Sequence, residues 1–242
     1  MSFEGARMVV TGAGRDFGRA LALHFADRGA ELLLAARSLD AAQRTCDEIA
    51  ARGNDRARAF ACDLADPDSI AAFASAVAEH TDRVDVLVNN GARWLEGADL
   101  LSASDAEIAD TLASGATGSV LMTKHLLALL RASERPDVVN MVSVCGEHGF
   151  DGSTAHDAFY AAKSAQAGFA EILSKRLRPE GIRVISLYPP DFRNGDPLSP
   201  EWAQAPRGPH DLLTAQSLLD CIAFALAQPR DCFVKSFHFE PV

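Results

Sequence analysis

The sequence predicts an α/β fold: a doubly wound parallel sheet of about seven strands with helices on both faces. Short apolar runs alternate with helical patterns along the whole length, which is the signature of repeated βαβ units. The run Val84–Asn89 is largely apolar, as a strand covered on both faces must be. Right-handed crossovers then leave a doubly wound sheet as the natural topology. The chain shows no linker, low-complexity tract or solenoid repeat, so residues 1–242 read as a single domain.

The elements follow in order. Arg7–Thr11 is the first strand, and Phe17–Arg28 a helix with Leu21 and Phe25 on one face and Gly29 as its stop. Leu32–Ala36 is the second strand. Ser38 can cap a helix that runs to Arg52 and ends at Gly53. Arg58–Cys62 is the third strand, and Asp66-Pro67 opens a helix as cap and first-turn proline. After the fourth strand, Ser104 and Glu107 form a capping box for one long helix through about Arg131. Val138–Ser143 is the fifth strand. A helix from about Asp157 to Arg178 is stopped by Pro179 and Gly181, and Ile182–Leu187 is the sixth strand. A loop from about Tyr188 to Asp211, rich in Pro and Gly, is placed to act as a lid over the carboxyl ends of the strands. Thr214 can cap a last helix reaching Gln228, and Phe233–Phe239 is the last strand.

A net charge of −10, from 33 acidic against 23 basic residues, argues against nucleic acid, whose phosphates demand clustered Lys and Arg. The five cysteines (46, 62, 145, 221, 232) are scattered, odd in number and without C-x-x-C spacing. That suits a reducing compartment with neither disulfides nor a metal site. Met1-Ser2-Phe3-Glu4 has no charged or apolar leader region, and no apolar run approaches the ~20 residues of a membrane span. A cytoplasmic protein with no membrane contact is the expectation.

The most informative turn is Thr11-Gly12-Ala13-Gly14-Arg15-Asp16-Phe17-Gly18, between the first strand and the first helix. Glycines there admit a pyrophosphate close to the backbone, and the helix N-terminus offers free N–H donors and a positive dipole. A Rossmann-like dinucleotide site with Gly12, Arg15, Phe17 and Gly18 at its turn follows. At the end of the second strand, where a carboxylate would bind the ribose hydroxyls of NAD, the chain has Arg37. Arg15 and Arg37 together suit a 2′-phosphate, so NADP(H) is the expected cofactor.

These residues, with Asn89-Asn90, Ser143 and Lys163, resemble the short-chain dehydrogenase/reductase family over essentially the whole chain. The family's turn is Thr-Gly-x-x-x-Gly-x-Gly; Thr11, Gly12 and Gly18 fit it, while Asp16 stands at the middle glycine. The resemblance implies that Asp63 binds the adenine amine, that Asn90 supports the fourth strand beside the cofactor, and that Pro189 follows the sixth strand at the nicotinamide. The family's Asn-Asn-Ala-Gly reads Asn89-Asn90-Gly91-Ala92, a swapped pair, and its Pro-Gly reads Pro189-Pro190. It also implies a homodimer or homotetramer, and the two long Ala- and Leu-rich helices suit a two-fold interface.

The family's chemistry needs a serine on the carbonyl oxygen, a tyrosine as proton donor, a lysine four residues on that lowers the phenol's pKa and holds the ribose, and a relay asparagine. Ser143 and Lys163 fit. The register from Lys163 to Gly168, Leu173, Gly181-Ile182-Arg183-Val184 and Pro189 places Phe159 in the tyrosine's position, and Gly115 stands for the asparagine. Phenylalanine has no proton to give. Tyr160 is turned by about 100° and ~1.5 Å along the helix, still i, i+3 from Lys163; it is the first candidate donor, with His148 and His156 behind it.

Two readings follow. One is an NADP(H)-dependent oxidoreductase moving hydride between the nicotinamide and a small carbonyl or alcohol substrate, with Ser143, Tyr160 and Lys163 as its catalytic set. The other is an NADP(H)-binding protein without dehydrogenase activity, serving as a sensor or assembly partner.

Overall fold

The computed structural model describes residues 1–240; the last two residues of the sequence lie outside it. Seven parallel strands form one sheet in the order β3-β2-β1-β4-β5-β6-β7. They are β1 (Arg7–Thr11), β2 (Glu31–Ala36), β3 (Ala57–Ala61), β4 (Val86–Asn89), β5 (Asp137–Met141), β6 (Arg183–Tyr188) and β7 (Ser236–His238). The strand order reverses between β1 and β4. The cleft at the carboxyl ends of these two strands is where ligands bind in such sheets.

Alternating side chains divide the core. Met8 and Val10 of β1 face the layer built by α1 (Asp16–Ala26), α2 (Leu39–Ala51) and, further along the chain, α8 (Ala215–Ala227). Val9 faces the layer of α3 (Pro67–His80), α5 (Gly118–Arg131) and α6 (Asp157–Leu177). Each fully buried aliphatic or aromatic side chain contributes about 1.5–3 kcal/mol, so this two-sided sandwich dominates the stability. Among the described residues no helix is long and apolar enough to cross a membrane.

Several expected ends move. The fourth strand is shorter than Val84–Asn89, because the Val84 amide bonds to Leu129 O rather than to the sheet. The fifth ends at Met141 instead of Ser143. The amides of Val142 and Ser143 both converge on Leu187 O, which lifts the chain out of the ladder. The last strand is three residues long, not seven. Ser38 sits at the start of α2, but its side chain makes no capping bond. Asp66 and Thr214 cap as expected, accepting from Asp68 N and Ser217 N.

The largest correction concerns the long helix after Ser104. The capping box is present, but the helix is not one piece. It runs as α4 (Asp105–Leu112), opens into a π-helical turn at Ala113–Thr117, and resumes as α5. A π-turn inserts one residue into the helical register, and such turns gather at functional sites. The expected lid loop carries a short helix, α7 (Pro200–Ala203). It is fastened at its base by Arg193 N to Leu213 O (2.7 Å) and in its middle by Arg19 to Asp196 (2.8 Å).

Candidate active site

A single cleft of ≈ 1920 Å³ runs across the carboxyl ends of the strands. That exceeds the ~300–1,000 Å³ of one small-ligand pocket and leaves room for a dinucleotide with a substrate. Gly12, Arg15, Phe17, Gly18, Arg37, Asp63, Asn90, Ser143, Lys163 and Pro189 all line it. Tyr160 does not; Phe159 does.

The cofactor end is built by close backbone approach. A Cβ on Gly18 would lie 2.1 Å from Gly12 O, and one on Gly12 would lie 2.8 Å from Gly91 Cα. Gly91, of the swapped Gly91-Ala92 pair, is the residue that faces Gly12, and a Cβ on it would lie 3.1 Å from Gly12 N. Thr11 ties the turn to β4, its hydroxyl accepting from the amides of Asn90 and Gly91 (both 3.0 Å) and donating to Val88 O. Asn90 returns a bond from Nδ2 to Thr11 O (3.0 Å).

Asp16 adopts φ +49°. Aspartate is among the few side chains that tolerate the left-handed region, so the turn keeps its shape without the middle glycine. No side chain caps α1, so its first-turn amides remain open toward the cleft, as an anion site requires. Arg15 is 86 % exposed and pairs with Asp16 at 3.3 Å. Arg44 of α2 joins Arg15 and Arg37 in the lining. Sequence reasoning overlooked it, although it stands on the helix after Arg37. Phe17 packs edge-on against Phe192 at 5.2 Å, joining the glycine turn to the lid loop.

At the opposite end Ser143 holds φ +105°, a strained value for a residue with a side chain. Its Oγ accepts from Cys145 N at 3.2 Å. Lys163 is 4 % exposed. Its Nζ donates to Met141 O (2.7 Å) and to Gln166 Oε1 (3.0 Å), and lies 5.5 Å from the centroid of the Phe159 ring. Burial pushes the Lys163 ammonium down to about 8. Trp94 stands edge-on to Phe159 at 4.8 Å and is 46 % exposed, so its indole walls the mouth.

The hydroxyl of Tyr160 points elsewhere. It accepts from Ser153 N (3.0 Å) and donates to Ser153 O (3.4 Å). It must leave Ser153 before it can serve a carbonyl beside Ser143. His156 is fully buried and caps α6: Nδ1 accepts from Ala158 N (3.1 Å), and Nε2 pairs with Leu100 O (3.2 Å). Both ring nitrogens are thereby occupied. His148 is exposed and outside the cleft lining. A Cβ on Gly115 would meet Ala162 Cβ at 3.1 Å, so helix packing fills the space beside this residue.

A short chain dehydrogenase profile matches residues 6–196. The chain belongs to the short-chain dehydrogenase family. It is 27 % identical over 241 residues to the 3-oxoacyl-[acyl-carrier-protein] reductase FabG of Vibrio cholerae, covering 97 % of this chain and 94 % of that one. It is 32 % identical over 189 residues to the D-threitol dehydrogenase of Mycolicibacterium smegmatis, covering 77 % and 70 %. Among solved structures, a metagenomic short-chain oxidoreductase in complex with NADP superposes with a TM-score of 0.82 at 27 % identity, covering 100 % of this chain and 99 % of that one. Membership makes the cleft the site of an oxidoreductase family. Within it, Phe159 and Trp94 set two aromatic rings against each other in the lining of the cleft.

Two further features of the site escaped sequence reasoning. Gln166 had a signal: an amide i, i+3 from Lys163 on the inward face of an Ala-rich helix. His238 had none. It reaches the cleft only because β7 pairs with β6, where its ring stacks on Tyr188 at 4.4 Å and bonds Glu147 at 2.6 Å.

Proposed function

We propose that this chain is an NADP(H)-dependent oxidoreductase, one domain over 1–242, that interconverts a small carbonyl and its alcohol with a proton donor other than the family's tyrosine. The observation that carries the reading is the pairing of Ser143, strained at φ +105°, with the buried amine of Lys163 in one cleft. Strain of this kind costs about 1–3 kcal/mol and gathers at working sites.

The residues present fit the dinucleotide: a glycine cradle that a Cβ would fill, open first-turn amides, and three arginines at the adenosine end. Gly12, Gly18 and the start of α1 would hold the pyrophosphate, Asp63 the adenine, Arg15, Arg37 and Arg44 a 2′-phosphate, and Asn90, Lys163 and Pro189 the nicotinamide end. When bound, the cofactor supplies or accepts the hydride. Ser143 orients the carbonyl oxygen by a hydrogen bond from Oγ. Tyr160, once free of Ser153, remains a candidate donor.

The relatives named for 3-oxoacyl thioester and polyol substrates frame the panel to test. The expected result is NADPH oxidation with at least one ketone or 3-oxoacyl thioester, and a roughly 10²-fold loss in kcat for Ser143→Ala, the scale of losing one donor to the reacting oxygen. Binding of NADPH without turnover across the panel would reject the reading. In the same assays Arg37→Ala is expected to weaken NADPH binding about tenfold or more and to leave NADH nearly unchanged, since a charge-assisted bond of about 1.5–3 kcal/mol is lost only with the phosphate. Equal losses for both cofactors would assign Arg37 another role. The exposed small-residue face of α6, with Ala161, Ser164, Ala165 and Gly168, supports pairing of two copies into a homodimer or homotetramer.

A further inference from the structure

We propose that the substrate is an uncharged aryl ketone, and that Trp94, Phe150 and Phe159 form the subsite that receives its ring. This rests on the reductase reading above and names the substrate class that reading leaves open.

The aromatic wall begins beside Ser143, whose Oγ accepts from Cys145 N at 3.2 Å. Cys145 is buried in one cluster with Phe159 and Ala155, and Phe150 packs against that cluster. Phe159 in turn meets the Trp94 indole edge-on, with 4.8 Å between centroids and 67° between planes. All three rings and Ser143 line the same cleft. Phe159 is buried within the wall, whereas Phe150 is half-buried and Trp94 is 46 % exposed. Of the chain's two tryptophans, only Trp94 lines the cleft. An indole this open at a cleft mouth leaves a large apolar face in water, and a ligand that covers it recovers the packing.

The wall is held from behind. Gly97 N donates to Thr154 O (3.0 Å) and His156 N to Leu95 O (2.9 Å), which joins the segment after Trp94 to the segment after Phe150. The Tyr160 hydroxyl fastens the Ser153 backbone in that second segment. A Cβ on Gly152 would lie 3.1 Å from Phe150 Cζ, so the chain closes on the ring. Rings fixed in this way before the ligand arrives reduce the ordering that binding requires.

The charges favour a neutral ligand. Five arginines line the cleft, and Arg15, Arg37 and Arg44 belong to the adenosine end. Arg93 is held between Asp110 (2.7 Å) and Glu107 (3.4 Å), and Arg207 faces Asp220 at 3.9 Å. Lys163 donates to Met141 O and Gln166 Oε1 and belongs to the nicotinamide end. A carboxylate or phosphate on the substrate would have to displace one of these partners.

An aryl ring differs from a saturated ring of equal size in its quadrupole, whose positive edge suits the negative faces of Trp94 and Phe150. A cyclohexyl ring carries more apolar surface and would be preferred in a pocket that sorts by area alone. The direction of the preference therefore separates an aromatic subsite from a merely greasy one.

The test measures NADPH oxidation with phenylacetone and cyclohexylacetone, in which a methylene separates the ring from the carbonyl. The value of kcat/KM should favour phenylacetone about tenfold, the scale of two aromatic contacts. Trp94→Leu and Phe150→Leu should each cut that ratio about threefold or more; Trp94 is exposed enough for its variant to fold. Calorimetry of benzamide and cyclohexanecarboxamide on the NADP⁺-loaded protein reads the same preference without turnover. Turnover with equal or better use of cyclohexylacetone removes the ring subsite alone, and a preference for phenylacetone that survives both substitutions overturns its assignment to these residues. No turnover of either ketone, with benzamide still bound about tenfold more tightly and that margin lost in Trp94→Leu, removes the reductase reading and leaves the ring subsite standing. No turnover and no preference for benzamide removes both.

Discussion

Replacing Phe159 by tyrosine is expected to raise carbonyl reduction by about 10²-fold, with little change in NADPH affinity. A positioned general acid is worth ~10²–10⁴ in rate, which corresponds to about 3–5 kcal/mol of barrier. The ring already lines the cleft, and Lys163 Nζ is 5.5 Å from its centroid. An ammonium this close stabilises phenolate and lowers the new phenol's pKa, so the gain should be level at low pH and shrink as rising pH takes the phenol's proton. The measurement is kcat against pH for Phe159→Tyr beside the unmodified protein. No gain, in a variant that still binds NADPH, would mean that Trp94 and Phe150 keep the para position away from the substrate rather than that a donor is lacking.

Arg183→Met is expected to destabilise the fold by about 3–5 kcal/mol, the cost of stranding one member of a buried ion pair. For a chain of this length that lowers Tm by about 6–20 °C. Arg183 binds Asp137 in a bidentate pair at 2.8 and 2.7 Å, with both side chains almost wholly buried. It also donates to Leu226 O, Gln228 O and Cys232 O, three carbonyls at and beyond the end of α8. Methionine fills the volume but leaves Asp137 with Arg230 alone and those carbonyls without this donor. The pair sits at the amino ends of β5 and β6, opposite the cleft. Calorimetry should therefore show a large loss while NADPH affinity of the folded fraction holds. A loss below about 1 kcal/mol would mean that Arg230 takes over the carboxylate.

The sheet was legible because its central strands are buried on both faces, unlike the part-exposed edge strands β3 and β7. Runs such as Leu32–Ala36 and Ile182–Leu187 have no strict polar alternation that could be misassigned, and the strand errors fell at ends, as at Val84 and Ser143 where amides leave the ladder and at the short edge strand β7. The glycine turn was legible for a related reason: Gly12 and Gly18 answer to sterics that few other residues satisfy. The π-turn at Ala113–Thr117 was not. Its residues fit an ordinary helix, and nothing in their spacing marks the inserted residue.

Orientation at the catalytic end was the hardest to read. Helix geometry gives the angle between Phe159 and Tyr160, but not which of them faces the cleft. That is settled by residues 150–156, which cross to pair with Leu95–Gly97 through His156 N to Leu95 O (2.9 Å) and Gly97 N to Thr154 O (3.0 Å). This crossing puts the Ser153 backbone against the Tyr160 hydroxyl. The same segment seats His156 at the N-cap, a role its place just before Asp157 could have suggested, since a cap needs an acceptor and imidazole has one.

The backbone at Ser143 has a consequence for how this protein could change over time. A glycine there would relieve the φ +105° conformation at no steric cost, and a single-base change converts the AGU and AGC serine codons to glycine. The fold alone therefore rewards losing this side chain, whereas nothing in the packing rewards keeping it: Oγ makes one bond, to the amide two residues on. A lineage that had stopped using the cleft would drift downhill at this position first, which makes residue 143 a sensitive gauge of whether the chemistry is still under selection.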